Sequence, residues 1–544
     1  MLHQARPRGV LTPRERSLLL AIAEAVLPPG KLFPGATERT IDRVDHFLAS
    51  LPEPALRSYR AMLQATNASA LLWTLRPFER LSSERRLEVL ERHRRGGVAR
   101  RLALRAMLMP IKGAHFDDPA LFRALGCVYD FGKPAAEAKP RWMQERVHAG
   151  AGLSEDVELE VDAVVIGSGA GGAVVARELA ERGHAVVILE EGGWFDRSQF
   201  NGRAFEMQRR MYRDSAATFS VGNVGIPIPM GKTVGGSTTV NSGTCYRIPD
   251  RVLAKWRDEA GLREFTPDML DPYYQRVEEV LGVAPARAEY LGGAARVIAR
   301  GCDALGYRRH GPLRRNAPDC DGKGVCCFGC PTDAKRSTNV SYVPLALKAG
   351  AEIFTGVRAH TILTDGGRAT GVVARARGQD GAERTLTIRA RAVVVACGSL
   401  LTPVLLARNG LANRSGELGK NLSIHPAAAS YAMFDEDISA FNAIPQGYAI
   451  EEFHEEGLLY EGASTPLDVA MGWSSFLGPR LIEMAERFDK VAMFGFMVED
   501  ESRGRVRAWR GRPVVTYQLG DADVARLQRG VEILARVFLA AGAR

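Results

Sequence analysis

Two short stretches hold the residue types most able to do chemistry. The first, "CDGKGVCCFGCPTDAK", runs from Cys320 to Lys335 and carries four of the chain's eight cysteines. Cys320, Cys326 and Cys330 stand at C-x5-C-x3-C, with Cys327 alongside and Pro331 just after. Closely spaced thiols ending in Cys-Pro suit a small iron–sulfur core, on which several thiolates must converge. Zinc would want a fourth ligand, which Cys327 or His310 could supply. A structural loop or disulfide is the third alternative. The second stretch, "VDAVVIGSGAGGAVVARELAERGHAVVILEEGG", places Gly167, Gly169 and Gly172 as G-x-G-x-x-G and ends in an acid, Glu190.

The elements around the glycines decide what they do. Val161–Ile166 reads as a short apolar strand. A helix comes next and ends at Gly183. A second strand, Ala185–Leu189, delivers Glu190, which lies 18 residues after Gly172. Glycine permits the tight turn, the approach of a pyrophosphate and the packing of helix on strand. The helix N-terminus turns its N–H groups and positive dipole end toward phosphate. The acid is placed to accept ribose hydroxyls. Strand, glycines, helix, strand and acid in that order predict a dinucleotide site.

The rest of the chain frames that unit. A length of 544 residues calls for two or three domains. Composition, 46% hydrophobic and 25% charged, is that of a globular protein. The net charge of +9 is uneven: residues 1–150 carry 25 Lys and Arg against 15 Asp and Glu, and the remainder carries 47 against 48. No nucleic-acid motif accompanies the basic part. It reads as an arginine-rich helical surface, with an anionic membrane surface or an acidic partner as alternatives. "LTPRERSLLLAIAEAVLPP" predicts a helix with Thr12 as N-cap, Pro13 first, Glu15 closing a capping box and Pro28 as its stop. "LSSERRLEVLERHRR" predicts another, capped by Ser82 or Ser83. No signal peptide is read at the N-terminus and no run reaches the roughly 18 apolar residues of a membrane span. The expectation is a cytoplasmic protein with reduced cysteines and, at most, peripheral membrane contact.

Further motifs carry a family resemblance. In "GKTVGGSTTVNSGTCYRIP", Gly231, Lys232, Val234, Gly235, Gly236, Ser237, Thr238, Val240 and Asn241 fit the first signature of the glucose–methanol–choline (GMC) oxidoreductases, with Cys245 where an aromatic is usual. "GSLLTPVLLARNGLA", starting at Gly398, resembles the second, with Asn409 and Ala412 as departures. "GKNLSIHP" and the strand pair around Ala359 also match in order. The helical N-terminal part and "GCPTDAKRST" resemble the long-chain fatty alcohol oxidase group, and the N-terminal pattern also resembles the small subunit of gluconate-type flavin dehydrogenases.

The resemblance implies FAD, contacted by Gly167, Gly169, Gly172, Glu190, Lys232, Gly235, Gly236, Ser237, Asn241, Ala359 and Gly398. It implies an α/β fold: an all-α N-terminal domain at 1–131, a linker at 132–156, a Rossmann-like FAD domain at 157–247 and 318–425, and an α+β substrate domain at 248–317 and 426–544. The cysteine spacing is similar to that of family dehydrogenases carrying a three-iron cluster, which would fall on Cys320, Cys326 and Cys330. The expected activity is oxidation of a long-chain or apolar alcohol by hydride transfer to flavin. The family's catalytic histidine belongs to a segment expected beyond Arg544, so no catalytic residue is assigned; His184, His310, His360, His425 and His454 do not match it. The alternatives are a dehydrogenase with an iron–sulfur relay to an electron acceptor, a chain completed by a second polypeptide, and a catalytically incomplete flavin-binding protein.

Overall fold

The computed structural model describes residues 9–127 and 139–544. The N-terminal part is helical: α1 Pro13–Val26, α2 Glu38–Leu48, α3 Glu53–Thr74, α4 Ser83–Arg94 and α5 Val98–Phe116. α1 starts as its sequence dictates. The Thr12 hydroxyl accepts from the Glu15 N–H, and the Glu15 carboxylate accepts from the Thr12 N–H at 2.8 Å. Ser82 caps α4, accepting from Arg85 N at 3.4 Å. The buried faces of these helices do not close on themselves. Their core runs without a break into Phe200, Met207, Met211, Phe328, Leu467, Met471 and Leu481, so the bundle packs directly on the body.

Part of the expected linker, residues 132–138, lies outside the described residues. The later part of it is structured: Arg141–Arg146 is a helix, and Val147–Ala149 is the edge strand of the main sheet.

That sheet has seven strands, in the order Val147–Ala149, Glu352–Thr355, Val186–Glu190, Val157–Ile166, Glu383–Val395, Arg368–Arg377, Val357–Asp365. The first five are parallel, and the last two add an antiparallel wing. Val164, Val165, Ile188 and Ile353 are fully buried because both faces are covered. Glu383–Val395 is long enough to serve both halves: its start pairs with the wing, and it runs beside Val157–Ile166 as far as Val395. A second, antiparallel sheet runs Ala427–Met433, Val491–Val498, Leu458–Gly462, Tyr448–Ile450, His310–Pro312. The helices Gly292–Ala304 and Asp521–Ala540 cover one face of it through Val297, Ile298, Ile533, Leu534 and Val537.

Candidate functional site

The site starts at the end of the strand Val157–Ile166. Gly167 turns the chain with φ +106°, and a Cβ there would lie 2.4 Å from Ala396 O. Gly169 caps the helix Ala170–Ala180, and a Cβ on it would meet nothing within 4 Å. Gly172 is the opposite case, where a Cβ would sit 1.9 Å from Gly167 O. The three glycines therefore divide the work: a turn, an open approach and a close helix contact. Gly398, with φ +73° at the start of Gly398–Arg408, also faces open space. Open backbone at a helix N-terminus suits a pyrophosphate.

Glu190 ends the neighbouring strand and is buried. Its Oε2 accepts from Ser168 N at 3.1 Å and Ser168 Oγ at 2.6 Å, and its Oε1 accepts from Gly192 N at 2.8 Å. Burial raises its pKa, and the bonds from Ser168 and Gly192 act against that rise. A carboxylate has about four acceptor positions; with three used, one remains on Oε1 for a ribose hydroxyl. Glu191 points elsewhere. Burial would lift its pKa, but Arg213 at 2.7 Å, with Arg358 and Lys232 each at 3.8 Å, holds it down to about 2.

The second glycine loop lies against the first. A Cβ on Gly236 would stand 3.2 Å from Gly169 Cα, and Gly235 N donates to Ser168 Oγ at 3.0 Å. Ser237 Oγ is used within the loop, accepting from Gly231 N at 3.1 Å. Lys232 keeps its side chain half-exposed beside Glu191. Ala359 sits at a register shift in the wing strand Val357–Asp365.

A third segment, Lys335–Asn339, locks both loops, and sequence reasoning misses it. Thr338 Oγ1 donates to Ser168 O at 3.0 Å, and Thr338 N donates to Thr238 Oγ1 at 3.0 Å. Lys335 is almost wholly buried. Its Nζ donates to the carbonyls of Thr238 at 2.9 Å, Thr239 at 3.0 Å and Asn241 at 2.7 Å, and reaches Asn241 Oδ1 at 3.3 Å. A cation there satisfies carbonyls at the end of the short helix Ser237–Val240. The one available signal is that the cysteine stretch terminates in this lysine.

The cysteine loop packs under this segment. Among the described residues, no group of three or more His, Cys, Asp or Glu side chains could hold a metal ion, and no disulfide joins the cysteines. A cation already stands among the thiols. Arg315, 2% exposed, points Nη2 at Cys326 Sγ (3.2 Å) and Nη1 at Cys320 Sγ (3.8 Å), and it also donates to Ser242 O at 2.6 Å. Cys330 Sγ is taken up by Lys335 N at 3.4 Å. Burial raises the pKa of Cys320, and it lifts Cys327 to about 11. Arg315 thus serves these thiols as a buried donor to sulfur, and no cluster or relay is assigned to them.

Above the loop, Glu461 is buried in the strand Leu458–Gly462, with Thr244 Oγ1 3.4 Å from its Oε2. Burial raises its pKa to about 7, against the pull of Thr244 and Arg315. Its folded pKa exceeds the unfolded value of 4.5, so the fold favours the protonated acid. That contribution is complete below the unfolded pKa and is lost as pH rises through 7. Glu461→Gln is therefore expected to change stability little near about pH 5 and to raise it by about 1–3 kcal/mol near about pH 8.5. Thermal melts at both pH values check this; an equal offset at both would contradict it.

A cleft of about 1150 Å³ opens between α5, the edge strand Ala427–Met433 and residues 472–484. Leu104, Leu108, Met433, Trp473, Leu477 and Met484 form its walls. No histidine is among the residues that line it. His310 instead bonds Tyr448 OH at 2.8 Å, and His425 has φ +38°, its N–H on Asp500.

A parallel sheet with a glycine-rich turn, a buried acid on the next strand and a second antiparallel sheet together define a dinucleotide-binding α/β protein. Family models match here: "GMC oxidoreductase" over residues 208–427 and "NAD(P)-binding Rossmann-like domain" over 165–218. A GMC-type oxidoreductase of Mycobacterium tuberculosis is 37% identical across 98% of this chain and 83% of its own length. A long-chain-alcohol oxidase of Arabidopsis thaliana is 29% identical over 74% of this chain and 55% of its own. A formate oxidase of Aspergillus oryzae shares the fold, with TM-score 0.53 and 14% identity over 71% of this chain and 82% of that one. The chain belongs to the GMC oxidoreductase family of FAD-dependent enzymes. Among the described residues, no helix is long and apolar enough to cross a membrane.

Proposed function

We propose that this chain oxidises a long-chain or apolar alcohol, using FAD held by the three interlocked loops. FAD, when bound, supplies the acceptor for the hydride that leaves the carbinol carbon. The chain's part is to hold and orient. Gly169 and the helix behind it face the pyrophosphate, the free acceptor position of Glu190 takes a ribose hydroxyl, and Gly235, Gly236 and Asn241 bring backbone and amide toward the cofactor. Lys335 and Thr338 keep those loops in register. The observation that carries the reading is the contrast at the glycines, open at Gly169 and Gly398 and filled at Gly167 and Gly172.

The long apolar chain is supported by two things. The Arabidopsis relatives are long-chain-alcohol oxidases, and the cleft beside α5 offers apolar walls of suitable size. The proposed division of labour follows the two sheets, with cofactor residues at 157–247 and 318–425 and substrate residues at 248–317 and 426–544. No described histidine is assigned as the base. The test is aldehyde formation with ethanol, 1-hexanol and 1-dodecanol under one set of conditions. kcat/KM is expected to rise with each added methylene, roughly threefold to fourfold per buried CH2 at about 0.8 kcal/mol. Equal activity on ethanol and 1-dodecanol would contradict the apolar-substrate reading.

A further inference from the structure

The cleft beside α5 is apolar in its walls and basic in its charges, and the second property is not explained by a neutral alcohol. Its lining holds six cations, Arg94, Arg101, Arg105, Lys112, Arg480 and Arg544, against one acid, Glu483. Arg94 is paired with Glu91 at 2.7 Å and Arg544 with Asp435 at 2.5 Å. Arg101, Arg105, Lys112 and Arg480 have no carboxylate partner among the described residues.

Unpaired arginines on a surface are ordinary, because water screens them. Lys112 is not on the surface. It is 2% exposed, and its Nζ donates to Ser474 O and Phe476 O, both at 2.8 Å, which leaves one of its three donors unused. Burial, and then the charge of Arg105, lower its pKa to about 7. Arg105 is itself fixed: its guanidinium lies 5.0 Å from the centre of the Trp473 ring and donates to Trp473 O at 3.4 Å. Lys112 is thus a buried cation next to the exposed guanidinium of Arg105, with no carboxylate paired to either. An anion between them would relieve both.

The apolar side is equally specific. Four of the chain's exposed large apolar side chains, Val98, Val224, Tyr431 and Phe476, collect at the mouth of this one cleft. Behind them Leu104, Leu108, Leu477 and Met484 continue the apolar surface inward. A continuous apolar patch rimmed by charge marks a binding surface. The aliphatic chain of an amphiphile suits the walls, and a single negative head suits the cations.

We infer that the cleft binds a free, single-chain amphiphile with an anionic head, of the fatty-carboxylate class, with its chain along α5 and its head toward Arg101, Arg105, Lys112 and Arg480. The inference deepens the reading above, since it rests on the cleft receiving an apolar chain. Its test is separable because it reads binding without turnover.

The experiment is a titration of Trp fluorescence in the full chain with monomeric laurate, 1-dodecanol and dodecyltrimethylammonium, with co-sedimentation on phosphatidylglycerol vesicles as a parallel arm. Trp473, in the cleft wall, is the reporter, and Trp473→Phe identifies its share of the signal. Laurate is expected to saturate and to bind roughly tenfold tighter than 1-dodecanol, with no saturation by the cationic amphiphile. The double variant Arg101→Ala/Arg480→Ala, at exposed positions outside the cofactor loops, is expected to weaken laurate binding more than 1-dodecanol binding and so to shrink that preference. Equal affinity for laurate and 1-dodecanol would overturn the inference. So would binding to the vesicles with no laurate uptake, which would assign the patch to a membrane surface. Laurate binding by a chain that oxidises no alcohol would sink the proposed activity and leave the cleft's ligand class standing.

Discussion

Gly172→Ala is expected to purify without flavin and to melt well below the parent protein. The added Cβ would sit 1.9 Å from Gly167 O and 3.1 Å from the Ala396 side chain. Neither neighbour can yield cheaply. Gly167 is held by its own turn, its N–H bonded to Leu189 O at 2.8 Å, and Ala396 N is bonded to Ile166 O at 2.9 Å. The helix Ala170–Ala180 must move off the strand, dragging the phosphate-facing turn with it. Overpacking against backbone of this kind belongs at the upper end of single-residue effects, about 3–5 kcal/mol. Gly169→Ala separates fold from cofactor. Its Cβ meets no protein atom within 4 Å, so the FAD-free chain keeps its melting temperature, while flavin retention falls because the methyl fills the approach to the pyrophosphate. Flavin absorbance per chain and the melting temperature of both variants check the pair. A Gly169→Ala protein that keeps its flavin would place the pyrophosphate somewhere else.

Lys335→Met is the second large effect. Methionine fills much of the same volume but leaves the carbonyls of Thr238, Thr239 and Asn241 without the donor they share. Each buried acceptor left unmade costs about 1–3 kcal/mol, so a loss of about 3–5 kcal/mol is expected after partial relaxation. Burial lowers the pKa of Lys335, with the nearby cysteines acting in the other direction. The native interaction is thus a cation held by carbonyl dipoles and not an ion pair. Lys335→Arg does not rescue, because a planar guanidinium does not fit three carbonyls converging on one nitrogen. Chemical denaturation of the three proteins measures this. A Met variant within about 1 kcal/mol of the parent would show the lysine to be dispensable to the loop.

Legible in the sequence is whatever depends on local order. The G-x-G-x-x-G turn, the acid at the end of the next strand and the capping box at Thr12 are each set by residues close to them along the chain, and each is found where the pattern places it. Positions that depend on long-range packing are not legible. Lys335 and Thr338 reach residues about a hundred positions or more away, and no local period announces that. Arg315 is the clearest case. In sequence it is one basic residue before a run of thiols; in space it enters among them and donates to two of their sulfurs. The cysteine spacing leaves metal site and structural loop open, because spacing alone does not reveal a cation from outside the stretch. The cleft is half visible. The apolar residues after Val469 are plain in the sequence, but nothing local announces that residues 472–484 face α5, a helix more than three hundred positions earlier.

The most direct test of the central claim is the anaerobic visible spectrum of the purified chain, recorded before and after 1-dodecanol. The account predicts oxidised flavin bands in the isolated protein, released as FAD on denaturation, and their bleaching when the alcohol is added. A chain that takes up no FAD on reconstitution would contradict the cradle. Flavin bands that stay unchanged under excess 1-dodecanol, with ethanol and laurate equally without effect, would contradict the assignment of alcohol oxidation to this chain.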